Sequence, residues 1–299
     1  MTHASPPDAL AAYRGRPVIA KLLSDRRGSR AWEITGDDGL HLALKANAPD
    51  SDHSTDRDKA PEMIREAAVL AELERLGAVP SGYLQGSGSW ADGQWLAVEW
   101  VPGRALWNAW ALARGPEGDR RSVRPWMLTT ARTLAARLAV LHAHGWTHAD
   151  VQPTNVLVDS RQGAAHLIDY ALACGPQGAT GRRPYRGALT HTTAPEIAAA
   201  ILNTPADTHI QAAPPADIWS LGATLYWCWT GQRPVSYADD LDRFEKLRLI
   251  ATGPAAPVTD VRPWFFPALE DLITACMAPA PTDRPTAAEL AHHLEETAP

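Results

Sequence analysis

The stretch HADVQPTNVLV, residues 148–158, decides how this chain is interpreted. Within it, Asp150 stands five residues before Asn155, and an apolar run follows directly. Aspartate and asparagine also favour turns, so the stretch taken alone suits an ordinary loop before a strand. The upstream histidines His142 and His144 suggest a metal site, but their spacing places them on different faces of a helix, which argues against it.

Length and composition describe an ordinary globular chain. It has 299 residues, 45% apolar and 21% charged, which suffices for one large domain or two lobes. A net charge of −6 gives no indication of a nucleic-acid-binding surface. Three widely spaced cysteines fit neither a disulfide framework nor a zinc site. With no long apolar run and no signal pattern, we expect a cytoplasmic protein without membrane or nucleic-acid partners.

The pattern of apolar runs and turn residues divides the chain into three parts. Residues 1–16 are expected to form a short tail, because Pro6, Pro7 and Gly15 break any long element. Residues 17–100 read as a strand-rich lobe with one helix, and residues 101–299 as a larger, mainly helical lobe.

Particular segments support this division. The turn GDDG at 36–39 predicts a hairpin, and the amphipathic stretch 60–77 predicts the single helix of the small lobe. In the larger lobe, 124–145 predicts a long amphipathic helix. Residues 216–231 are apolar all round, which predicts a buried helix.

Six further motifs accompany the opening stretch in a fixed order. They are LALKA with Lys45, REAAVL with Glu66, LIDYALA with Asp169, then TAPE, DIWSLG and DRPT, the last ending at residue 286. Each is weak alone, but together they resemble the protein kinase superfamily over residues 18–295. The likeness is to bacterial Ser/Thr kinases with atypical glycine-rich and catalytic loops. It implies an α+β, bilobal fold, with a small antiparallel-sheet lobe and a larger helical lobe.

The resemblance implies a role for five polar or charged residues of these motifs. Lys45 would neutralise the phosphates of ATP, and Glu66 would hold that lysine in place. Asn155 and Asp169 would supply oxygen ligands to Mg²⁺. Asp150 would orient the attacking hydroxyl and accept its proton. The expected cofactors are therefore ATP and Mg²⁺.

The resemblance also places an adenine site and several structural residues. Val98 falls at the gatekeeper position, Glu99 and Val101 would offer hinge carbonyl and amide groups, and Ala43 and Leu157 would sandwich the ring. The expected structural residues are the ion pair Glu196 and Arg284, the loop anchor Asp217 and the packed histidine His148.

The catalytic loop departs from the family pattern at two positions. Ala149 replaces an arginine that normally receives the phosphate of a modified activation loop. We therefore expect activity without prior phosphorylation. Gln152 replaces a lysine, so this catalytic-loop position brings a hydrogen-bond donor but no charge to the γ-phosphate.

The phosphate-covering loop is altered as well. The aligned stretch SDRRGSRA keeps only Gly28 of the usual glycines, which weakens close backbone approach to the phosphates. It gains Arg26, Arg27 and Arg30, and our hypothesis is that one of these arginines, with Arg26 and Arg27 the first candidates, reaches the phosphates and replaces the missing lysine. Solvated arginines on a hairpin tip are the alternative.

The motif set favours an ATP-dependent kinase acting on a Ser/Thr hydroxyl of a protein or peptide. One alternative is a stand-alone biosynthetic kinase whose peptide product loses its phosphate to a partner lyase, as in lanthipeptide-like dehydration. Others are a nucleotide-binding pseudokinase scaffold and a small-molecule kinase of the aminoglycoside or choline type. The cluster Arg182, Arg183 and Arg186 has the charge to dock an acidic peptide, and a solvated loop is the simpler interpretation.

Overall fold

The chain divides into two compact units, Met1–Val101 and Pro102–Pro299. The division falls next to the boundary that the sequence pattern suggests. The computed structural model describes residues 5–26, 29–47, 59–91, 93–176 and 184–296. Each unit is built around its own core.

The first unit contains a five-stranded sheet with the order β1-β2-β3-β5-β4 in its described part. Every neighbouring pair is antiparallel. The strands are β1 (Ile19–Arg26), β2 (Ser29–Thr35), β3 (His41–Asn47), β4 (Leu84–Trp90) and β5 (Gly93–Glu99). The predicted hairpin joins β2 to β3, where Gly39 adopts a φ of 80° that favours glycine.

Strand β3 has one face in the core and one face that is partly accessible to solvent. Leu42, Leu44 and Ala46 are buried in the core of the first unit. The alternating residues Ala43 and Lys45 point to the opposite face and are half-buried. This alternation is why an isolated lysine inside an apolar strand is accessible for chemistry.

Helix α2 (Lys59–Arg75) presents an apolar stripe to the sheet. Met63, Leu70 and Leu73 lie on that stripe and are buried. Glu66 falls in the same stripe at helical spacing and is only 2% exposed. A carboxylate in this position needs a partner, because a buried charge is costly unless paired.

The structure corrects the expectation that residues 1–16 form a tail. Pro6–Arg14 is a helix, α1, whose N-cap Ser5 accepts a hydrogen bond from the Asp8 amide. Leu10 is 1% exposed and belongs to the core cluster of the sheet. The ring of Tyr13 lies over Gly86, where a Cβ would approach it to 2.8 Å. Within its described residues, the first unit therefore contains two helices rather than one.

Replacing Leu10 by alanine should destabilise the first unit by about 2–4 kcal/mol, because the change leaves a cavity under α1. Urea unfolding followed by tryptophan fluorescence would measure the loss. Leu22→Ala is the matched control, since Leu22 lies in the same unit and is 52% exposed. We expect the control to change stability by less than about 0.5 kcal/mol. Equal effects of the two substitutions would show that α1 does not contribute to the core.

The second unit is mainly helical. In its described part the unit also contains a three-stranded sheet, β6-β7-β8, whose first strand precedes residues 148–155 in the chain and whose other two strands follow them. The strands and helices of the second unit are β6 (Arg104–Ala105), α3 (Leu106–Ala109), α4 (Val123–Ala143), β7 (Val156–Val158), β8 (Ala165–Leu167), α5 (Pro195–Asn203), α6 (Pro214–Thr230), α7 (Arg243–Thr252), α8 (Val258–Val261), α9 (Pro267–Cys276) and α10 (Ala287–Glu296). Short 3-10 turns cover Ala111–Arg114, Pro116–Gly118, Thr190–Thr192 and Pro281–Asp283.

Helix α6 is the buried helix predicted from its apolar sequence. Most of its residues are buried, Leu221 and Leu225 completely. Its polar residues Asp217, Ser220 and Thr224 are spaced to share one face. Ser220 Oγ donates to the Thr192 carbonyl at 2.8 Å, and Thr224 Oγ1 donates to the Val151 carbonyl at 3.2 Å. This face therefore fixes the loops that carry the candidate site. None of the helices in the described residues has the length and apolarity to cross a membrane.

Candidate active site

In the first unit, Lys45 and Glu66 form an ion pair. Lys45 Nζ lies 2.9 Å from Glu66 Oε1 and 3.2 Å from Oε2. The lysine is 23% exposed and the carboxylate 2%. Because water screens such a pair poorly, breaking it by removing one partner is strongly destabilising locally. The arrangement holds one ammonium group in a fixed position on the accessible face of β3.

The remaining adenine-site candidates of the first unit lie around the end of β5. Ala43 on β3 pairs in register with Val98 on β5, so the two side chains share a face of the sheet. Val98 is buried, whereas Glu99 is exposed. The Glu99 amide donates to the Tyr83 carbonyl at 2.8 Å, and Val101 follows as the last residue of the unit. Their adenine-binding role stays a prediction.

The phosphate-loop hypothesis falls largely outside the described residues. Arg27 and Gly28 are not among them, and Arg26 is described by its backbone, which pairs with Ser29 at the end of β1. The neighbouring Arg30 donates to Asp25 at 2.9 Å. Replacement of the missing lysine by Arg26 or Arg27 therefore stays a prediction.

In the second unit, Asp150 is surrounded by amide donors. Gln152 Nε2 donates to Asp150 Oδ1 at 2.7 Å, and Asn155 Nδ2 donates to Oδ2 at 2.8 Å. Thr154 Oγ1 in turn donates to Gln152 Oε1 at 3.2 Å, which fixes the orientation of that amide. Each carboxylate oxygen thus has a positioned partner. Gln152 thus contacts the candidate base through an uncharged side chain, and its catalytic role stays a prediction.

Burial raises the pKa of Asp150 from 3.8 to about 7, and the negative charge of Asp169 adds to that effect. The amides of Gln152 and Asn155 and the backbone of Leu189 oppose the shift, because they stabilise the carboxylate. A pKa near neutrality suits a group that must accept a proton at physiological pH.

This pKa predicts how stability depends on pH. An aspartate that ionises at about 7 in the folded chain and at 3.8 when unfolded favours folding only while protonated. Its contribution therefore falls as pH rises from about 4 to about 7 and is constant above that. Asp150→Asn should be more stable than the wild type by a few kcal/mol at pH 8, with the difference vanishing near pH 4. Urea unfolding in EDTA would measure it. Asp207→Asn, at an exposed position, is the control, and a pH-independent difference would contradict the assignment.

Asp217 holds the backbone of the loop from beneath, as the resemblance implies. Its carboxylate is 1% exposed and accepts from the amides of His148 at 2.7 Å and Ala149 at 2.8 Å. His142 Nε2 lies 3.0 Å from the same carboxylate. The ring of His148 packs edge-on against Tyr170 at 5.1 Å. These two histidines thus serve loop packing in the structure.

Leu157 and Asp169 follow the loop on adjoining elements. Leu157 lies half-buried on β7, between β6 and β8. Asp169 lies two residues after the end of β8 and has a φ of 67°, unusual for a residue with a side chain. Its Oδ1 accepts from the Ala171 amide at 3.5 Å.

The residues present fit a Mg²⁺ ion. Because the Asn155 amide nitrogen is engaged by Asp150, its Oδ1 is left as an acceptor, and Asp169 adds a carboxylate nearby. Mg²⁺ prefers oxygen ligands and usually takes one or two protein carboxylates together with phosphate oxygens. Within the described ranges, no group of three or more His, Cys, Asp or Glu could form a metal cage. The donor set therefore suits a metal that arrives with a phosphate ligand.

The segment between Asp169 and Glu196 is fixed at its C-terminal end. Arg284 Nη1 and Nη2 donate to the Glu196 carboxylate at 2.7 and 2.9 Å, which forms the expected ion pair. For Arg186, the structure corrects the hypothesis that an arginine cluster docks an acidic peptide. Its guanidinium donates to the carbonyls of Ile201 and Thr204 at 2.8 and 3.0 Å and thereby caps α5. Arg182 and Arg183 lie outside the described residues.

Sequence reasoning missed two residues of this site. The sequence presents His142 only as a candidate metal ligand, whereas in the structure it contacts Asp217, 75 positions away in the chain. Tyr185 was not singled out, although its hydroxyl donates to the Ala149 carbonyl at 2.9 Å. Neither contact has a local signal, because each depends on how distant elements of the second unit pack.

Comparison with known proteins agrees with this geometry. The family model described as the protein kinase domain matches residues 31–294. The probable serine/threonine-protein kinase PkwA of Thermomonospora curvata is 27% identical over 77% of this chain and 28% of its own length. The mitogen-activated protein kinase kinase kinase YODA of Arabidopsis thaliana is 25% identical over 87% of this chain and 27% of its own.

A second Arabidopsis thaliana relative, mitogen-activated protein kinase kinase kinase 3, is 35% identical over 54% of this chain and 26% of its own length. The chain thus spans about a quarter of the length of these curated relatives. The model match covers most of the chain and includes the candidate residues from Ala43 to Asp169, whereas Arg26, Arg27 and Gly28 precede it. The chain therefore belongs to the protein kinase family.

Proposed function

We propose that this chain is an active ATP-dependent kinase that transfers the γ-phosphate to a serine or threonine hydroxyl of a protein or peptide. The observation that carries the proposal is the environment of Asp150, whose two carboxylate oxygens accept from Gln152 and Asn155. A scaffold that only binds nucleotide does not need an oriented base. The names of the curated relatives describe a probable serine/threonine-protein kinase and mitogen-activated protein kinase kinase kinases, which supports a protein substrate.

The proposed mechanism assigns one task to each residue. Bound Mg·ATP would supply the phosphoryl group and neutralise the charge that develops on its oxygens. Lys45, held by Glu66, would contact phosphate oxygens, and Asn155 and Asp169 would hold the metal. Asp150 would accept the proton of the substrate hydroxyl at a carboxylate oxygen. Gln152 would keep that oxygen oriented, which spares the reorientation that a mobile base requires.

The assay should separate an active kinase from a scaffold and from a small-molecule kinase. Purified chain is incubated with Mg²⁺ and γ-labelled ATP, together with degenerate peptide libraries whose central residue is serine, threonine, tyrosine or alanine. Choline and an aminoglycoside serve as small-molecule acceptors. We expect label in the serine and threonine libraries only, with the modified residue identified by mass spectrometry.

Thermal shift with Mg·ATP accompanies the assay. A shift without transfer to any acceptor would indicate a nucleotide-binding scaffold, and transfer to choline or the aminoglycoside would indicate a small-molecule kinase. Either result contradicts the proposed function. Asp169→Asn should abolish the Mg²⁺-dependent part of the shift, because it removes the carboxylate ligand.

A further inference from the structure

Tyr185 connects the segment preceding Glu196 to the catalytic loop. The side chain is 7% exposed, and its hydroxyl donates to the Ala149 carbonyl at 2.9 Å. Its backbone is held on both sides: the amide donates to His209 Nδ1 at 3.0 Å, and the carbonyl accepts from the Ile210 amide at 3.1 Å. Hydrogen bonds therefore hold both the backbone of Tyr185 and its phenol oxygen in place.

The carbonyl that Tyr185 binds belongs to the peptide group between Ala149 and Asp150. A peptide group is planar, so fixing its oxygen also fixes the amide nitrogen of Asp150 and the direction of its Cα. Ala149 has a φ of 61°, in the left-handed region. A residue with a Cβ is strained there, because its Cβ comes too close to the following carbonyl oxygen, so this conformation needs support from its neighbours.

The support comes from both sides of Ala149. Asp217 accepts from its amide at 2.8 Å, and Tyr185 donates to its carbonyl. Asp217 lies on helix α6, whereas Tyr185 lies in the segment that leads to Glu196. The loop conformation that presents Asp150 therefore depends on the position of that segment.

We propose that Tyr185 is a positioning residue for phosphotransfer, acting through the Ala149 carbonyl to hold Asp150 in its productive orientation. The link is made by a neutral hydroxyl. The side chain of Ala149 has no charge that could bind a phosphate in its place. The inference rests on the proposed function and deepens it. A residue that merely fills the core would contribute the same through a phenylalanine ring.

Tyr185→Phe tests the proposal, because it removes only the hydroxyl and keeps the ring. The matched control is Tyr226→Phe in α6. Tyr226 is 1% exposed, and among the described residues its hydroxyl has no hydrogen-bond partner. Both variants thus lose a buried hydroxyl in the same unit, and only one loses a hydrogen bond to the loop.

Two readouts are measured for each variant. We expect Tyr185→Phe to lower kcat toward a serine peptide about tenfold and to leave the KM for ATP within about twofold. Hydrogen exchange of peptides covering residues 146–152 should accelerate about fivefold, while peptides from α4 are unchanged. Tyr226→Phe should alter neither readout.

The two proposals fail in different ways. If Tyr185→Phe matches Tyr226→Phe in both kcat and loop exchange, the positioning role is wrong, even where the melting temperature falls. If the wild type transfers phosphate to no acceptor, the proposed function is wrong. In that case the exchange experiment alone decides whether Tyr185 holds the loop.

Discussion

Asp150→Asn is expected to lower kcat about 10³-fold while the affinity for Mg·ATP changes by less than about threefold. Asparagine keeps the size of the side chain and can still occupy the place between Gln152 and Asn155. It has no basic oxygen to accept a proton from the substrate hydroxyl. The loss is therefore confined to the chemical step, which separates it from a loss of nucleotide binding.

Initial-rate kinetics with a serine peptide and thermal shift with Mg·ATP measure the two quantities. Asp159→Asn is the control, because Asp159 directly follows β7, where it accepts from the amides of Arg161 and Gln162 at 2.8 and 2.6 Å and stabilises only its own turn. We expect its kcat to stay within about twofold of the wild type. An Asp150→Asn enzyme that retains more than a tenth of the wild-type kcat would exclude Asp150 as the base.

Comparing the loss of kcat with the loss of nucleotide affinity also tests the role of Gln152. A lysine at this position would bring charge to the phosphate, whereas Gln152 contacts the base itself at 2.7 Å. Replacing it by alanine should therefore lower kcat more than the affinity for nucleotide. If Arg26 or Arg27 instead replaces the missing lysine, substituting that arginine should mainly lower the affinity for nucleotide.

Much of the site could be predicted because its signals are local. Asp150 and Asn155 belong to one loop, and their spacing alone places them together. Glu66 is assigned through the resemblance, because a single helix carboxylate has no local signal of its own; the structure then places it on the buried stripe of α2, where a charge needs a partner. Lys45 follows from the alternation of β3, which puts it opposite the core face.

The errors came from features whose meaning depends on context. Pro6 and Pro7 were interpreted as helix breakers, although proline is compatible with the first turn of a helix, where its missing amide costs nothing. Ser5 and Gly15 were the better signals, since they cap α1 at its two ends. Arg186 was interpreted as a surface charge, because nothing local shows that carbonyls at the end of α5 surround it.

Lys45→Met is expected to lower kcat/KM about 10³-fold, since it removes a fixed cation from the phosphates. Glu66→Gln should cost about 10²-fold, because the buried carboxylate acts mainly by holding that cation. If Glu66 works through Lys45, the double variant should be no worse than Lys45→Met alone. The double-mutant cycle then gives a coupling factor of about 10², which measures the ion pair directly.

A second Lys–Glu pair in the same unit provides the control cycle. Lys21 Nζ lies 3.2 Å from Glu33 Oε2, but Lys21 is 74% exposed, so water screens the pair. Lys21→Met and Glu33→Gln, singly and together, should leave kcat/KM within about twofold of the wild type. If the effects of Lys45→Met and Glu66→Gln instead multiply in the double variant, each residue acts independently. That outcome would remove the ion pair from the mechanism, even though the two side chains lie 2.9 Å apart.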